Sequence, residues 1–306
     1  MNYFKCLLVG AAAVTAVAMA SARTESVASP ASATASPGPE NIFASPMWDD
    51  GRAEFSVYSG TTNRYGQDRP TNAHLVVVKE DLLRESLVKS DAGPIPGRTV
   101  TVVKLNFIAD FRTGTYIYHQ MATTMFERAT FDVLKETMSH TEGCGITFVR
   151  VGPRHGALVH EAHSYWDGEA DRDVTIHWPA GAHTYADALP VWLRQWVHDG
   201  APSSLQLWLL PTQISGKSPL ASTKPVRASI QREDGGTVRV PAGSFTTRRF
   251  TVTTPAGADR YWFDARFPYV LVRLETAAGR RLELTKTLRL DYWRHHMNGD
   301  EKLIGE

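Results

Sequence analysis

The segment richest in groups capable of chemistry is residues 142–173, where acidic, histidine, tyrosine and cysteine side chains follow one another closely. A hydrolase with a cysteine nucleophile needs a base within hydrogen-bond reach and a carboxylate that orients the base. Residues of these types in the segment are Cys144, Glu142, His160, His163 and Glu169. They are the candidate catalytic residues, although no local signature of a cysteine hydrolase surrounds the thiol.

Each of these groups also has a structural interpretation. Cys144 stands between two glycines, and a small apolar side chain at a turn fits that position as well as a nucleophile does. His160 and His163 are three residues apart in a strand-like run, where such positions point to opposite faces of a sheet. We therefore predict no metal site. Glu169 begins a run of alternating carboxylates that suits either acid-base chemistry or a solvated strand edge.

A second set of residues could contact a bound molecule. Lys104 and Asn106 share one face of a predicted strand, and Tyr116 and Tyr118 share one face of the next. Aromatic side chains on the concave face of a sheet can form the wall of a ligand cavity, or they can be core. With Tyr165, these four residues are the predicted ligand-binding set.

The elements that position these residues are strands. Residues 237–293 alternate apolar and polar side chains, and Pro-Ala-Gly or Ala-Gly turns separate the runs, which is typical of an antiparallel β-meander. In the last run, Leu282, Leu284, Leu288 and Leu290 are predicted to share one face. The first half contains similar short runs rich in valine, isoleucine, tyrosine, phenylalanine and threonine.

Only two segments favour a helix, residues 187–197 and, with a shorter pattern, residues 81–88. The predicted fold is therefore mainly β, a curved antiparallel sheet or half-open barrel with one or two packing helices.

The ends of the chain have a different composition. Residues 1–22 resemble a secretory signal peptide, with Lys5 before an apolar run and Ala-Ser-Ala at its end. The apolar run is too short to span a bilayer. Residues 23–46 are rich in alanine, serine and proline and are predicted to be a disordered linker. A single domain is predicted for residues 47–293, followed by a polar tail at residues 294–306.

Composition excludes several function classes. The chain has 33 basic and 32 acidic residues, so it lacks the positive field that nucleic-acid binding requires. It contains no nucleophile elbow, P-loop or dinucleotide-binding glycine pattern. No cofactor and no transmembrane segment in the mature chain are predicted. Removal of a signal peptide leaves one cysteine, so the domain cannot rely on an internal disulfide.

Several short motifs, taken in order, resemble those of the DUF3108-like group of uncharacterised exported bacterial proteins. The C-terminal matches are VPAGSF from residue 240, YWFD from residue 261 and PYVLV from residue 268. The upstream matches are RYG from residue 64, KLN from residue 104, TGTY from residue 113, EGCG from residue 142 and SYWDGE from residue 164. The resemblance implies a curved antiparallel sheet similar to periplasmic lipoprotein-carrier folds that hold acyl chains, and it implies no established activity.

The sequence thus predicts a periplasmic or secreted envelope protein that is not an enzyme and binds an apolar or amphipathic ligand, such as a lipid, in the concavity of the sheet. Two alternatives stay open. One is a periplasmic hydrolase that uses residues 142–173. The other is an interaction module whose partner is another envelope protein, which an exposed apolar patch without a pocket would favour.

Overall fold

The computed structural model describes residues 39–169, 171–215 and 222–305. The predicted signal peptide and residues 23–38 of the predicted linker lie outside the described residues. Within the described residues, fifteen β-strands form one sheet, and the helical elements are short. The predicted fold class, mainly β with one large curved and mostly antiparallel sheet, is confirmed.

Most consecutive strands are joined by tight turns or short connections, and three longer connections span residues 84–98, 186–203 and 211–225. In chain order they are β1 (Ala53–Arg64), β2 (Gln67–Leu83), β3 (Thr99–Thr113), β4 (Tyr116–Glu127), β5 (Val133–Thr141), β6 (Ile146–Arg154), β7 (Ala157–Ser164), β8 (Arg172–Ile176), β9 (His183–Tyr185), β10 (Ser204–Leu210), β11 (Val226–Val240), β12 (Gly243–Thr254), β13 (Gly257–Asp264), β14 (Leu271–Glu275) and β15 (Arg280–Leu290). Across the sheet the order runs from β8 down to β1, then from β15 down to β9. Neighbouring strands are antiparallel except for β9 and β10, which are parallel.

The sheet curls strongly because its two edge strands are close in the chain. The edge strand β8 ends at Ile176 and the other edge strand, β9, begins at His183. An extended connection of this length spans at most about 25 Å. Fifteen strands laid flat at the usual spacing would separate the edges by roughly 67 Å. The sheet therefore bends until its edges approach each other, and β8 and β9 do not pair to close a barrel.

Strand alternation gives the sheet a buried inner face. In β3, Val103, Leu105, Phe107 and Ala109 are buried and point to one side, because successive side chains of a strand point to opposite faces. They belong to the largest cluster of buried apolar side chains, which continues through the inner faces of the neighbouring strands. The concave side of the sheet is therefore the main core.

A short helical segment fills part of the concavity. It consists of a 3₁₀ turn (Ala186–Ala188), the α-helix α1 (Leu189–Trp192) and a second 3₁₀ turn (Leu193–Trp196). Ala188, Leu189, Val191 and Leu193 are fully buried in the main core, and the partly buried Trp192 and Trp196 pack against it. The segment coincides with the helix predicted at residues 187–197. No helix among the described residues is both long and apolar enough to cross a membrane.

A buried ion pair joins this segment to the sheet. Arg194 donates from Nη1 and Nη2 to the two carboxylate oxygens of Glu54 in β1, at 3.0 and 2.8 Å. Both side chains are almost completely shielded from solvent. A two-point guanidinium–carboxylate contact fixes direction as well as distance. It therefore holds the helical segment in one orientation against the inner face.

The second predicted helix, at residues 81–88, is wrong. The strand β2 continues through Leu83, and a turn follows it. Leu82 is fully buried and packs with Leu87, Val100 and Val102 in a small apolar cluster on the outer face. Burial against the next strand therefore decides the conformation of this segment.

The predicted face of β15 is also wrong in part. A β-bulge shifts the register between Leu284, which pairs with Tyr58, and Lys286, which pairs with Val57. The extra residue, Thr285, donates its hydroxyl to the carbonyl oxygen of Val57. Because one added residue reverses the faces, Leu282 and Leu284 point into the main core, whereas Leu288 and Leu290 pack on the outer face.

Both predicted domain boundaries fall inside ordered structure. Ile42 and Phe43 belong to the main core, and the ring of Phe43 stacks on Phe131 with centroids 4.8 Å apart. At the other end, Ile304 packs on the outer apolar cluster and Lys286 donates to the carbonyl oxygen of Leu303 at 2.6 Å. These few apolar residues lie in segments that are otherwise polar or rich in small residues. A prediction from composition therefore placed the domain boundaries at residues 47 and 293.

Candidate functional site

A cavity of about 560 Å³ lies between the inner face of the sheet and the helical segment. Most of its wall area is apolar, and the polar lining residues include the charged groups Arg64, Asp187, Asp259 and Arg280. The apolar lining residues are Phe107, Phe111, Ala186, Pro190, Leu209, Pro211, Ile214, Val226, Pro255, Ala256, Tyr261, Leu274, Ala277 and Ala278. Small-molecule sites have this composition, with convergent polar groups in a largely apolar pocket of about 300 to 1,000 Å³.

Arg280 is the principal charged group of the cavity. It opens β15 and shares the inner face with Leu282 and Leu284. Its Nε donates to the hydroxyl of Thr62 at 3.2 Å, and its Nη2 donates to the side-chain oxygen of Gln120. The guanidinium also lies over the ring of Phe107, 5.2 Å from its centroid. These contacts hold the guanidinium plane in a fixed direction.

Two carboxyl groups also line the cavity. Asp187, at the start of the helical segment, accepts hydrogen bonds from the Thr212 hydroxyl at 2.5 Å and from the backbone N–H of Gln213 at 2.7 Å. Asp259, in β13, accepts from the backbone N–H of Ala277 at 2.8 Å. The first carboxyl group therefore has a protein donor on each oxygen.

Burial changes the proton affinity of Arg280 and of the two acids. It raises the pKa of Asp187 and of Asp259 above the usual range, because the charged forms lose hydration, and their hydrogen bonds oppose this only in part. Burial lowers the pKa of Arg280 to about 10. At neutral pH the arginine is therefore still charged, whereas the two acids are shifted toward their neutral forms.

A hydrogen-bonded network leads from the cavity to one end of the sheet. Gln120, which accepts from Arg280, contacts Nδ1 of His140 with its side-chain nitrogen at 3.1 Å. Nε2 of His140 lies 3.4 Å from a carboxylate oxygen of Glu142. That carboxylate oxygen is 3.7 Å from Nη2 of Arg64. The predicted catalytic residue Glu142 is thus a buried member of a structural network.

His140 is held neutral within this network. Burial lowers its pKa, and the hydrogen bond to Glu142 only partly offsets that effect. Because the Gln120 amide nitrogen can only donate, Nδ1 of His140 accepts and Nε2 carries the proton toward Glu142. Each group in the network therefore donates to the next one, from Arg280 through Gln120 and His140 to Glu142.

The aromatic residues of the predicted binding set lie beside the network. Tyr118 is fully buried, stacks on Phe111 with centroids 4.8 Å apart and has its hydroxyl 2.9 Å from that of Tyr65. Tyr116 is on the same face, as predicted, with its ring 5.5 Å from that of Tyr118. Neither lines the cavity, but Tyr118 packs against the wall residue Phe111. Tyr165 is exposed and packs on the backbone of Gly145.

Lys104 and Asn106, two of the predicted ligand-binding residues, do not line the cavity. The two residues do share one face of β3, but it is the outer face, opposite Val103 and Leu105. Nζ of Lys104 pairs with a carboxylate oxygen of Glu80 at 2.5 Å. The side-chain oxygen of Asn106 accepts from a threonine hydroxyl on β4. Their polar groups are therefore used in contacts between strands.

The predicted catalytic residues do not converge. His160 points inward, and its Nε2 lies 2.9 Å from the side-chain oxygen of Gln213. His163 points outward and pairs with Asp171 at 2.8 Å. Glu169 is half-buried in the turn after β7.

Cys144 is exposed at the β5–β6 hairpin. Among the described residues, no histidine forms a hydrogen bond with this thiol. No group of three or more histidine, cysteine, aspartate or glutamate residues in the described part of the chain could hold a metal ion. The geometry therefore gives residues 142–173 no common catalytic centre.

The cavity residues were missed from the sequence, although one signal was present. Arg280 has the same phase as Leu282 and Leu284, so a strand starting after the Ala278-Gly279 turn places a charged residue on the apolar face. Asp187 and Asp259 carry no comparable signal, because their proximity depends on the folding of distant segments.

Comparison with known proteins adds no function. No protein-family model and no curated protein sequence matches this chain. One solved structure that aligns with it is the crystal structure of a β-barrel-like protein of a domain of unknown function, DUF1849, from Brucella abortus. The alignment has 10% sequence identity and a TM-score of 0.44, and it covers 78% of this chain and 97% of that one. The function of this chain is therefore argued from its own residues.

Proposed function

We propose that this protein is a non-enzymatic binding protein for a small apolar or amphipathic molecule, held in the cavity between the sheet and the helical segment. The observation that carries the proposal is the cavity itself. Its volume of about 560 Å³ and its mainly apolar wall area match the properties of small-molecule sites. The helical segment packs in the concavity and contributes Ala186, Asp187 and Pro190 to the cavity wall.

The predicted export to the periplasm or the exterior forms part of the proposal. It depends on residues 1–22, where a basic residue precedes an apolar run and a small-residue cleavage pattern. The resemblance to DUF3108-like exported proteins agrees with this location and stays a prediction. In an aqueous compartment outside the cytoplasm, an apolar ligand would need a cavity of this kind to be shielded from water.

The two alternative functions have less support. A hydrolase built on residues 142–173 requires groups that meet, whereas His160 and His163 point to opposite faces and Cys144 has no histidine partner among the described contacts. An interaction module requires an exposed apolar patch. On the outer face of β1 and β15, the apolar cluster is partly covered by Tyr292 and Ile304 from the C-terminal segment.

The test is native mass spectrometry of the mature protein purified from an exporting bacterial host, followed by organic extraction of bound molecules. Val226→Trp places a large ring in the cavity wall, and Ile117→Trp adds the same ring on the outer face of β4. We expect near-stoichiometric ligand in the wild type and in Ile117→Trp and its loss in Val226→Trp. Equal ligand in all three proteins would refute a cavity site.

Because the host could lack the ligand, the same proteins are also titrated with decanol. Circular dichroism confirms that both variants fold. Decanol binding to the wild type that Val226→Trp abolishes supports the proposal. An absence of decanol binding to the wild type, together with a clean apo mass, contradicts it.

A further inference from the structure

We propose that the cavity selects an amphipathic ligand with an anionic head group, a carboxylate or a phosphate, which binds to Arg280 while its apolar chain lies along the cavity wall. This inference rests on the proposed binding function and adds the chemical class of the ligand.

The first step of the argument is the position of the guanidinium. Arg280 lines the cavity on the inner face of the sheet and is half-buried. Among the described residues it forms no ion pair, and Asp187, the acid that acts on it electrostatically, has both oxygens occupied by other donors. A charged group withdrawn from water without a counterion is costly. A bound anion would remove that cost.

The second step is the direction of its donors. Nε and Nη2 are held by Thr62 and Gln120, so the plane of the guanidinium is fixed before a ligand arrives. Nη1 has no hydrogen-bond partner among the described residues, and this nitrogen is not buried. It is therefore accessible from the cavity. A preorganised guanidinium binds planar or tetrahedral oxyanions well, because several N–H groups point in fixed directions.

The third step is the charge balance around the site. With a pKa of about 10, Arg280 is charged at neutral pH. Burial shifts Asp187 and Asp259 toward their neutral forms, so they repel an anion less than exposed carboxylates would. The remaining wall is apolar and suits a hydrocarbon chain. Arg64, the other cation of the wall, lies 3.7 Å from the buried carboxylate of Glu142. Arg280 is therefore the lining cation without an acidic ion-pair partner among the described residues, and such a group beside an apolar space is complementary to an amphipathic anion.

The experiment is isothermal titration calorimetry with four probes: decanoate, decyl phosphate, decanol and acetate. The proteins are the wild type, Arg280→Met and Arg281→Met. The last variant is a matched control, because Arg281 is the next residue of β15, is exposed and points to the outer face. Circular dichroism and thermal melting confirm that the variants fold.

We expect decanoate to bind the wild type about tenfold or more tightly than decanol, since a hydrogen bond to a charged group contributes more than a neutral one. Arg280→Met should bind decanoate no better than decanol, and Arg281→Met should behave like the wild type. Acetate should bind far more weakly than decanoate. The tighter of decanoate and decyl phosphate identifies the head group.

Three results would overturn the inference: equal affinity of the wild type for decanoate and decanol, an unchanged preference in Arg280→Met, or acetate binding as tight as decanoate. If Arg280→Met does not fold, the affinities of the wild type for decanoate, decanol and acetate still test the inference. A wild type that binds neither decanoate nor decanol refutes the proposed binding function itself. Binding of both with equal affinity refutes only the anionic head group.

Discussion

Removal of the Arg194 charge should strongly destabilise the protein. In Arg194→Met, the carboxylate of Glu54 keeps its buried position but loses both guanidinium hydrogen bonds, at 2.8 and 3.0 Å. Breaking a buried ion pair from one side costs about 3 to 5 kcal/mol, because an uncompensated charge stays in the interior. Natural domains are stable by only about 5 to 15 kcal/mol. We therefore expect a lower urea midpoint and a melting temperature reduced by roughly 6 to 20 °C.

The double variant Glu54→Met with Arg194→Met separates the cost of an unpaired charge from the value of the pair. Replacing a buried pair by apolar side chains of similar volume is often neutral or stabilising, so the double variant should be more stable than Arg194→Met. Arg249→Met is the surface control, since its ion pair with Glu233 is largely exposed and should contribute about 1 kcal/mol or less.

Urea denaturation followed by circular dichroism measures all three variants. A loss in Arg194→Met no larger than that of the surface control would refute the claim that the pair anchors the helical segment. A double variant no more stable than Arg194→Met would refute the assignment of the loss to an unpaired charge.

Three further predictions concern single residues. Gly60→Ala should lower the free energy of unfolding by about 1 to 3 kcal/mol, because the added Cβ would lie 1.9 Å from the carbonyl oxygen of Arg281. In urea denaturation the control Ser59→Ala should differ little from the wild type. Equal stabilities of Gly60→Ala and the wild type would contradict the close strand contact. Burial lowers the pKa of His160, so the unfolded chain takes up the proton first and stability falls as the pH drops below about 6.5. His160→Asn should weaken that dependence between pH 7 and pH 5 in urea titrations, and an unchanged slope would count against it. Exposed Cys144 should react with a thiol reagent in the native protein, and Cys144→Ser should leave decanoate affinity unchanged; a lower affinity would reopen a role for the thiol.

The sheet could be predicted from the sequence because its signal is local. Alternation in β3 separates Val103 and Leu105 from Lys104 and Asn106, and the structure keeps that separation. The bulge at Thr285 could not be predicted, since one added residue leaves the alternation of leucines intact while reversing the faces around it. Which face becomes concave is also a long-range property, and for that reason the sequence did not show that Lys104 and Asn106 lie on the outer face.

The site was less predictable than the fold. The density of polar groups at residues 142–173 suggested a catalytic centre, but successive positions of β7 point to opposite faces and separate His160 from His163. The cavity instead joins residues far apart in the chain, such as Thr62, Asp187 and Arg280. The local sequence indicated only that Arg280 lies on the same strand face as the buried leucines of β15. Its partners depend on the pairing of β1 with β15.

The most direct test of the central claim is a diffraction structure of the protein with 10-bromodecanoate, in which the anomalous signal of bromine locates the end of the chain. We predict the bromine inside the cavity beside apolar residues such as Leu209 and Val226, and the carboxylate on the guanidinium of Arg280. A bromine site on the outer face, for example in the groove beside Ile304, or a carboxylate far from Arg280, would contradict the account.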